Sequence, residues 1–247
     1  MNSWHIIRTI AKRELRGYFA SPVAFVFIVI FLLRSGFFTF MVSQFFRNGQ
    51  ASLQTFFMWH PWLYLFLVPA VGMRMWSEER RLGTIELLLT MPVTPWQAIV
   101  GKFLASWAVV ALALVLTFPV WITANYLGNP DNGVIIGSYI GSLLMAGAYL
   151  SITAMTSAMT RNQVVAFIVA VVISLFLILA GFPPVTDLLV TWASSWLVDG
   201  IAAFSVMTHF ESIQKGVLDS RDILYFVSVM AFCLFTTSTI IRAHRAG

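Results

Sequence analysis

Charge is what this sequence has least of: 10% of its 247 residues are Asp, Glu, Lys or Arg, with 15 basic side chains against 10 acidic ones. Soluble domains carry about a quarter of their residues as charges, so an ordinary water-soluble globule is excluded. Acidic residues are absent from the long apolar runs, which removes the midplane carboxylates that an ion-coupled carrier needs. The lone cysteine, Cys233, excludes a disulfide framework and any multi-cysteine metal site. The four histidines stand apart at His5, His60, His209 and His244, and neither H-E-x-x-H nor G-x-S-x-G occurs. Spacing therefore assembles no zinc or nucleophile constellation.

What is abundant is apolar surface, 59% of the chain, including 22 Phe, 9 Trp and 11 Met. A globule of this length cannot hide so much, and lipid must cover the remainder. A membrane-crossing helix needs about 20 predominantly apolar residues. On that criterion the chain is expected to be an all-α polytopic membrane protein with six transmembrane helices, near 22–42, 58–75, 103–126, 134–158, 164–182 and 222–241, forming one domain. Residues 185–212 hold two shorter apolar stretches, 188–198 and 200–210, parted by Asp199 and preceded by Pro183-Pro184. Neither stretch is long enough to cross alone, which points to a re-entrant hairpin on the outer side. A seventh span carrying Asp199 at its middle is the alternative.

Residues 1–20 read as an amphipathic interfacial helix. A helical wheel puts Trp4, Ile7, Ile10, Leu15 and Tyr18 on one arc and His5, Lys12, Arg13 and Arg16 on the other. Basic side chains on the wet face suit anionic headgroups. Glu14 breaks the pattern by falling within the apolar arc. The apolar run that follows Arg16 is too long for a cleaved signal and lacks a small-residue cleavage site, so the first span is expected to remain.

Orientation follows from Lys and Arg placement. In the six-span arrangement Arg8, Lys12, Arg13, Arg16, Arg74, Arg80, Arg81, Lys102, Arg161, Arg242 and Arg245 share one side, whereas Arg47, Lys215 and Arg221 take the other. Both termini, including the basic tail 242–247, are thus expected in the cytoplasm. This bias accounts for the basic residues without nucleic acid.

Among the cytoplasmic loops only 77–101 is long. It opens on an acidic-basic run containing Glu78, Glu79, Arg80, Arg81 and Glu86. On a continuous helix Leu82, Ile85 and Leu89 share one face while Glu79 and Glu86 share another, one side suiting lipid or bundle and the other a polar partner. Pro92 and Pro95 end that helix, and Thr94 caps a new one leading into the third span. The expected result is an elbow at the inner membrane surface. A docking site and a merely solvated loop both fit these charges.

The run EERRLGTIELLLTMPVTPWQAIVGKF strongly resembles the signature of type-2 ABC transporter membrane subunits, particularly the gliding-motility-like permease branch. Glu78, Glu79, Arg80, Gly83, Thr84, Glu86, Leu87, Leu88, Pro92, Gly101 and Lys102 carry the resemblance. It implies a non-catalytic permease subunit in a bacterial cytoplasmic (inner) membrane, paired with a second permease subunit as homodimer or related chain. It further implies a separate cytoplasmic ATPase that grips the elbow and itself binds ATP and Mg. The expected coupling residues are Glu78, Glu79, Arg80, Arg81, Gly83, Thr84 and Glu86, with Arg161 in the next inner loop as a smaller second contact.

No nucleotide cradle exists in the sequence. The Gly101-Lys102 pair has Trp96 where a phosphate-binding loop needs its first glycine and Phe103 where it needs a hydroxyl. It reads instead as a helix start at the membrane surface, with Lys102 near headgroups. No cofactor is expected in this chain. Arg34, inside the first span, is a candidate for the translocation path or for an ion pair with Asp187 or Asp199; snorkelling toward the surface is the alternative. Asn125 is the other path candidate, and Pro69 and Pro119 are possible helix kinks. The rival functions are a secondary ion-coupled carrier, which would rest on a buried Asp199, and a membrane-embedded lipid-modifying enzyme. For the latter, Phe204 stands where the alcohol-phosphatidyl transferase pattern that begins at Asp199-Gly200 requires arginine.

Overall fold

In lipid every backbone polar group must be satisfied within its own segment, which favours helices throughout. The computed structural model describes residues 3–46, 52–85, 93–192 and 194–243, and among these there is no β-strand. Helix α1 (Ser3–Ala20) is followed by α2 (Val23–Phe37), which continues into a π-helical turn at Phe38–Val42. Two shorter helices, α3 (Gln54–Met58) and α4 (His60–Gly72), lead to α5 (Arg74–Leu82). The chain then forms α6 (Pro95–Val115), α7 (Phe118–Leu127), α8 (Asn132–Met159) and α9 (Gln163–Leu179). Three short helices follow, α10 (Pro183–Trp192), α11 (Ser195–Ala202) and α12 (Val206–Gln214), before the last, α13 (Ser220–Ala243).

Among the described residues four stretches are long and apolar enough to cross a membrane: Val23–Val42, Pro95–Leu127, Asn132–Met159 and Ser220–Ala243. A fifth counts if α9 and the start of α10, bent by 67° at their junction, form one broken span. The segment expected as the second span supplies only the 13 residues of α4 as apolar helix, about 20 Å at 1.5 Å per residue. Charged α5 carries the helical path onward through Met73, whose φ of −57° and ψ of −28° stay helical.

Helix α8 is the centre of the bundle and packs against α4, α5, α6, α9, α12 and α13. Its Gly-, Ala- and Ser-rich sequence explains that position, because small side chains let neighbouring backbones approach closely where lipid offers no hydrophobic drive between helices. Trp107 on α6 donates its indole N–H to the Leu143 carbonyl of α8 at 2.9 Å. At the end of α4 remote from α5, Ser142 on α8 meets both His60 Nδ1 and the Tyr64 hydroxyl at 2.8 Å. His60 and Tyr64 are fully buried there beside Phe31.

In the region expected to form a re-entrant hairpin, α10 and α11 pack against each other, and Leu188, Val190, Trp196 and Leu197 are exposed. Helix α12, in contrast, belongs to the body of the bundle through buried Val206, Phe210 and Ile213.

Candidate functional site

The elbow is built where α1, α5 and α6 converge. Thr94 opens α6 with a capping box: its side chain accepts from the Gln97 amide while the Gln97 side chain accepts from the Thr94 amide. Pro95 at the first helical position costs nothing there, since that N–H has no helical acceptor. Gln97 also donates from Nε2 to Ser3 Oγ at 2.8 Å, tying the start of α1 to the start of α6.

One turn further along α6, Gly101 lets α1 lie directly on the helix. A Cβ at this position would come within 2.8 Å of Ile10 Cγ2 and 3.2 Å of the Ile7 carbonyl oxygen. The apolar arc of α1 is therefore a protein contact.

Lys102 corrects the sequence reading. Its side chain is only 6% exposed, and its ammonium lies 2.8 Å from Glu79 Oε1, 3.3 Å from Glu14 Oε2 and 5.4 Å from the centre of the buried Trp76 ring. It is a staple joining α1, α5 and α6, and it does not sit among headgroups. The anomalous position of Glu14 in the apolar arc is explained by the same contact. Burial alone would raise the Glu14 carboxyl, but Lys102 and Arg13 outweigh it and hold the group below its ordinary range. Nearby, Tyr18 on α1 donates its hydroxyl to the Val71 carbonyl at 3.2 Å and lies 2.8 Å from Ser106 Oγ on α6. Burial pushes that phenol up to about 12, so it remains a donor at neutral pH.

The root of α5 is also fixed to α8. Ser157 accepts from the amides of Trp76 and Ser77, each at 3.0 Å, and donates to the Met73 carbonyl at 2.8 Å. It thereby splices the junction between α4 and α5. Arg80 donates to the Ala158 carbonyl near the end of α8. Burial lowers the Arg80 group from its ordinary value, and the charge of Arg161, exposed in the turn after α8, adds to that. The two inner contacts anticipated from sequence therefore adjoin each other.

The exposed face of α5 is different in character. Glu78 bridges Arg74 at 3.5 Å and Arg81 at 3.7 Å along the same helix. Beyond it, residues 81–84 are exposed, and Leu82 shows 64% of its surface. The continuous helix expected through this segment does not form: α5 stops at Leu82 because Gly83 takes the left-handed conformation, φ +71°, and donates its N–H to the Glu79 carbonyl. This is a glycine helix terminator. Glu79 faces inward to Lys102 while Leu82 points out and Ile85, past the break, is buried, so the single apolar face read from sequence is split. Glu86, with Leu87, Leu88, Leu89 and Pro92, lies outside the described residues.

The two path candidates are placed elsewhere. Arg34 is exposed on α2 and pairs with neither Asp187 nor Asp199. Asn125 exchanges amide hydrogen bonds with Asn132 at 3.1 and 3.2 Å, closing the connection from α7 to α8. Trp121 reinforces that clasp by donating to Asn132 Oδ1 at 2.7 Å. No cluster of three or more metal-ligating side chains occurs among the described residues.

Sequence reasoning missed Glu14, Trp76, Lys102 and Ser157 as members of the site. Glu14 gave a signal as a carboxylate out of place on an apolar arc, and Lys102 stood in the family signature but was read as lying near headgroups. A search of curated proteins finds no match. Residues 8–195, about three quarters of the chain, match the family described as ABC-2 family transporter protein.

Proposed function

This chain belongs to the ABC-2 family of transporter proteins, and from that premise we propose that its elbow, residues 77–101, is the handle through which a separate ABC ATPase drives the permease. The observation that carries this reading is the contrast within α5. Its tip, residues 81–84, is exposed and offers a charged, Leu-bearing surface, while its root is stapled to three other helices through Lys102, Ser157 and Arg80. A partner pressing on such a tip moves the structure behind it.

In this account Glu78, Arg81, Leu82, Gly83 and Thr84 make the contact, Arg161 extends it, and Glu86 belongs to the same loop. Glu79 and Arg80 transmit and do not dock. The partner binds ATP and Mg, and this chain supplies no catalytic group. Closure of the ATPase shifts the permease between states only if its contacts to the elbow differ in strength between them.

The remaining parts of the proposal rest on the charge asymmetry and the resemblance. The elbow and both termini face the cytoplasm of a bacterial inner membrane. Residues 58–75, helix α4 with its flanking residues, serve as the second of six crossings, and α10 and α11 form the outer hairpin. The signature between the second and third crossings favours the gliding-motility-like branch. A second permease subunit completes the path, and Arg34, exposed on this protomer, is available to line it.

The test is purification from native membranes with an affinity tag on this chain. A nucleotide-binding subunit should accompany it in roughly equal amount, and the charge reversals Glu78→Lys and Arg81→Glu should each release that subunit while this chain stays in the membrane. Recovery of the chain without any ATP-hydrolysing partner would overturn the proposal.

A further inference from the structure

At the end of α4 remote from the elbow, a cavity of about 330 Å³ opens between α3, the start of α4 and α12. That volume is at the lower end of ligand pockets, which run from about 300 to 1,000 Å³. Its wall is apolar: Pro61, Met207 and Phe210 are buried, and Met58 at the mouth is 44% exposed. Methionine at such a surface adapts to irregular apolar ligands.

The polar groups of the cavity are unusual in having no partners. Glu211 on α12 and Lys215, the residue just after that helix, both line it, four residues apart in the order that normally favours an ion pair. Here their side chains join neither each other nor any other described residue. Gln214, between them in sequence, is 6% exposed, lines the same cavity and makes no side-chain hydrogen bond. Its amide is not sealed from solvent, so a ligand entering the cavity can reach it. An unpaired anion, an unpaired cation and an accessible, unbonded amide beside an apolar wall match a molecule with one positive group, one negative group and a hydrocarbon part.

We propose that this cavity binds the headgroup of an aminophospholipid of the phosphatidylethanolamine type, taken from the leaflet at that end of the bundle. The ammonium sits against Glu211, the phosphodiester against Lys215 and the Gln214 amide, and the acyl chains leave over Met58 into lipid. This inference is independent of the elbow and of any ATPase.

The test uses the purified full chain, delipidated and then titrated with defined lipids under native mass spectrometry. Phosphatidylethanolamine is expected to bind about tenfold more tightly than phosphatidylglycerol, which lacks the ammonium; a charged hydrogen bond of about 1.4 kcal/mol corresponds to that factor. Glu211→Gln should abolish the preference, whereas Lys215→Gln should weaken both lipids alike, and neither rim substitution should alter folding. Gln214→Leu should weaken phosphatidylethanolamine, with thermal unfolding followed in parallel to confirm an intact fold. Free phosphoethanolamine, which has the headgroup without chains, should not compete. A photoreactive phosphatidylethanolamine should label peptides 54–61 and 206–215. Equal binding of the two lipids, a preference that survives Glu211→Gln, full competition by phosphoethanolamine, or labelling elsewhere would each overturn the proposal.

Discussion

The two ends of the molecule solve opposite problems. At the elbow, three helices are fixed by a buried ammonium with two carboxylate partners, by Ser157 inside the α4–α5 junction and by the close approach of α1 to Gly101. In α10 and α11 Val198 is buried, while the large apolar residues Leu188, Val190, Trp196 and Leu197 are exposed. One region resists displacement relative to its neighbours; the other depends on its surroundings for burial. The difference teaches where force can enter. A push on a region held by many short polar contacts reaches the helices behind it, whereas a push on a hairpin that packs mainly on itself stays local.

The largest blow to that contrast is removal of the staple. Lys102→Met leaves Glu14 and Glu79, 23% and 19% exposed, without their shared cation; breaking a fully buried pair costs about 3–5 kcal/mol, and partial exposure brings the expected loss to about 2–3 kcal/mol. Thermal unfolding in detergent should show this loss, with Lys102→Arg retaining most of the stability. Next in size is Gly101→Val, which forces α1 off α6 at Ile10 and should cost about 1–3 kcal/mol by overpacking. Combining it with Ile10→Ala should recover part of the loss, because the clash is with that side chain.

Acid acts on the same contact more gently. Because the folded Glu14 carboxyl is held below its ordinary value of 4.5, its contribution is complete above about pH 4.5 and is lost as pH falls through the lower folded value. Cross-linking between α1 and α6 should weaken over that acidic range, and Glu14→Gln should remove the dependence.

Smaller still is the stability effect at the tip. Glu78→Lys should change unfolding by less than about 1 kcal/mol, since exposed ion pairs contribute little, yet it should uncouple ATP hydrolysis from transport. The least sensitive positions are Leu188 and Trp196, where alanine should shift stability by no more than about 0.5 kcal/mol. A loss at Trp196 comparable with that at Lys102 would erase the contrast between the two regions.

Much of the elbow could be read in advance because its signals are local. Thr94, Pro95 and Gln97 specify a helix start by their own chemistry, and the acidic-basic run after Trp76 has no place in a hydrocarbon layer. The amphipathic pattern of α1 was equally visible. What stayed hidden depends on contacts between distant parts of the chain. Lys102 is buried only because Glu14 and Glu79 converge on it from two other helices, and nothing near it in sequence announces that. The short α4 and its passage into α5 are set by Ser157, 84 residues away from Met73. Gly83 was visible as a residue, but the spacing of Leu82, Ile85 and Leu89 argued for a helix running through it. Its left-handed backbone parts exposed Leu82 from buried Ile85, which the spacing had put on one face, while Glu79 is turned inward by its pairing with Lys102.

The central claim is that the exposed tip of α5 is where an ATP-hydrolysing partner takes hold. Photo-cross-linking from position 82 in native membranes tests it most directly, with position 204 in the turn after α11 as the comparison. The account predicts an adduct to a nucleotide-binding subunit from position 82, altered in yield by ATP, and none from position 204. Failure to capture such a subunit from position 82, or equal capture from both positions, would contradict it.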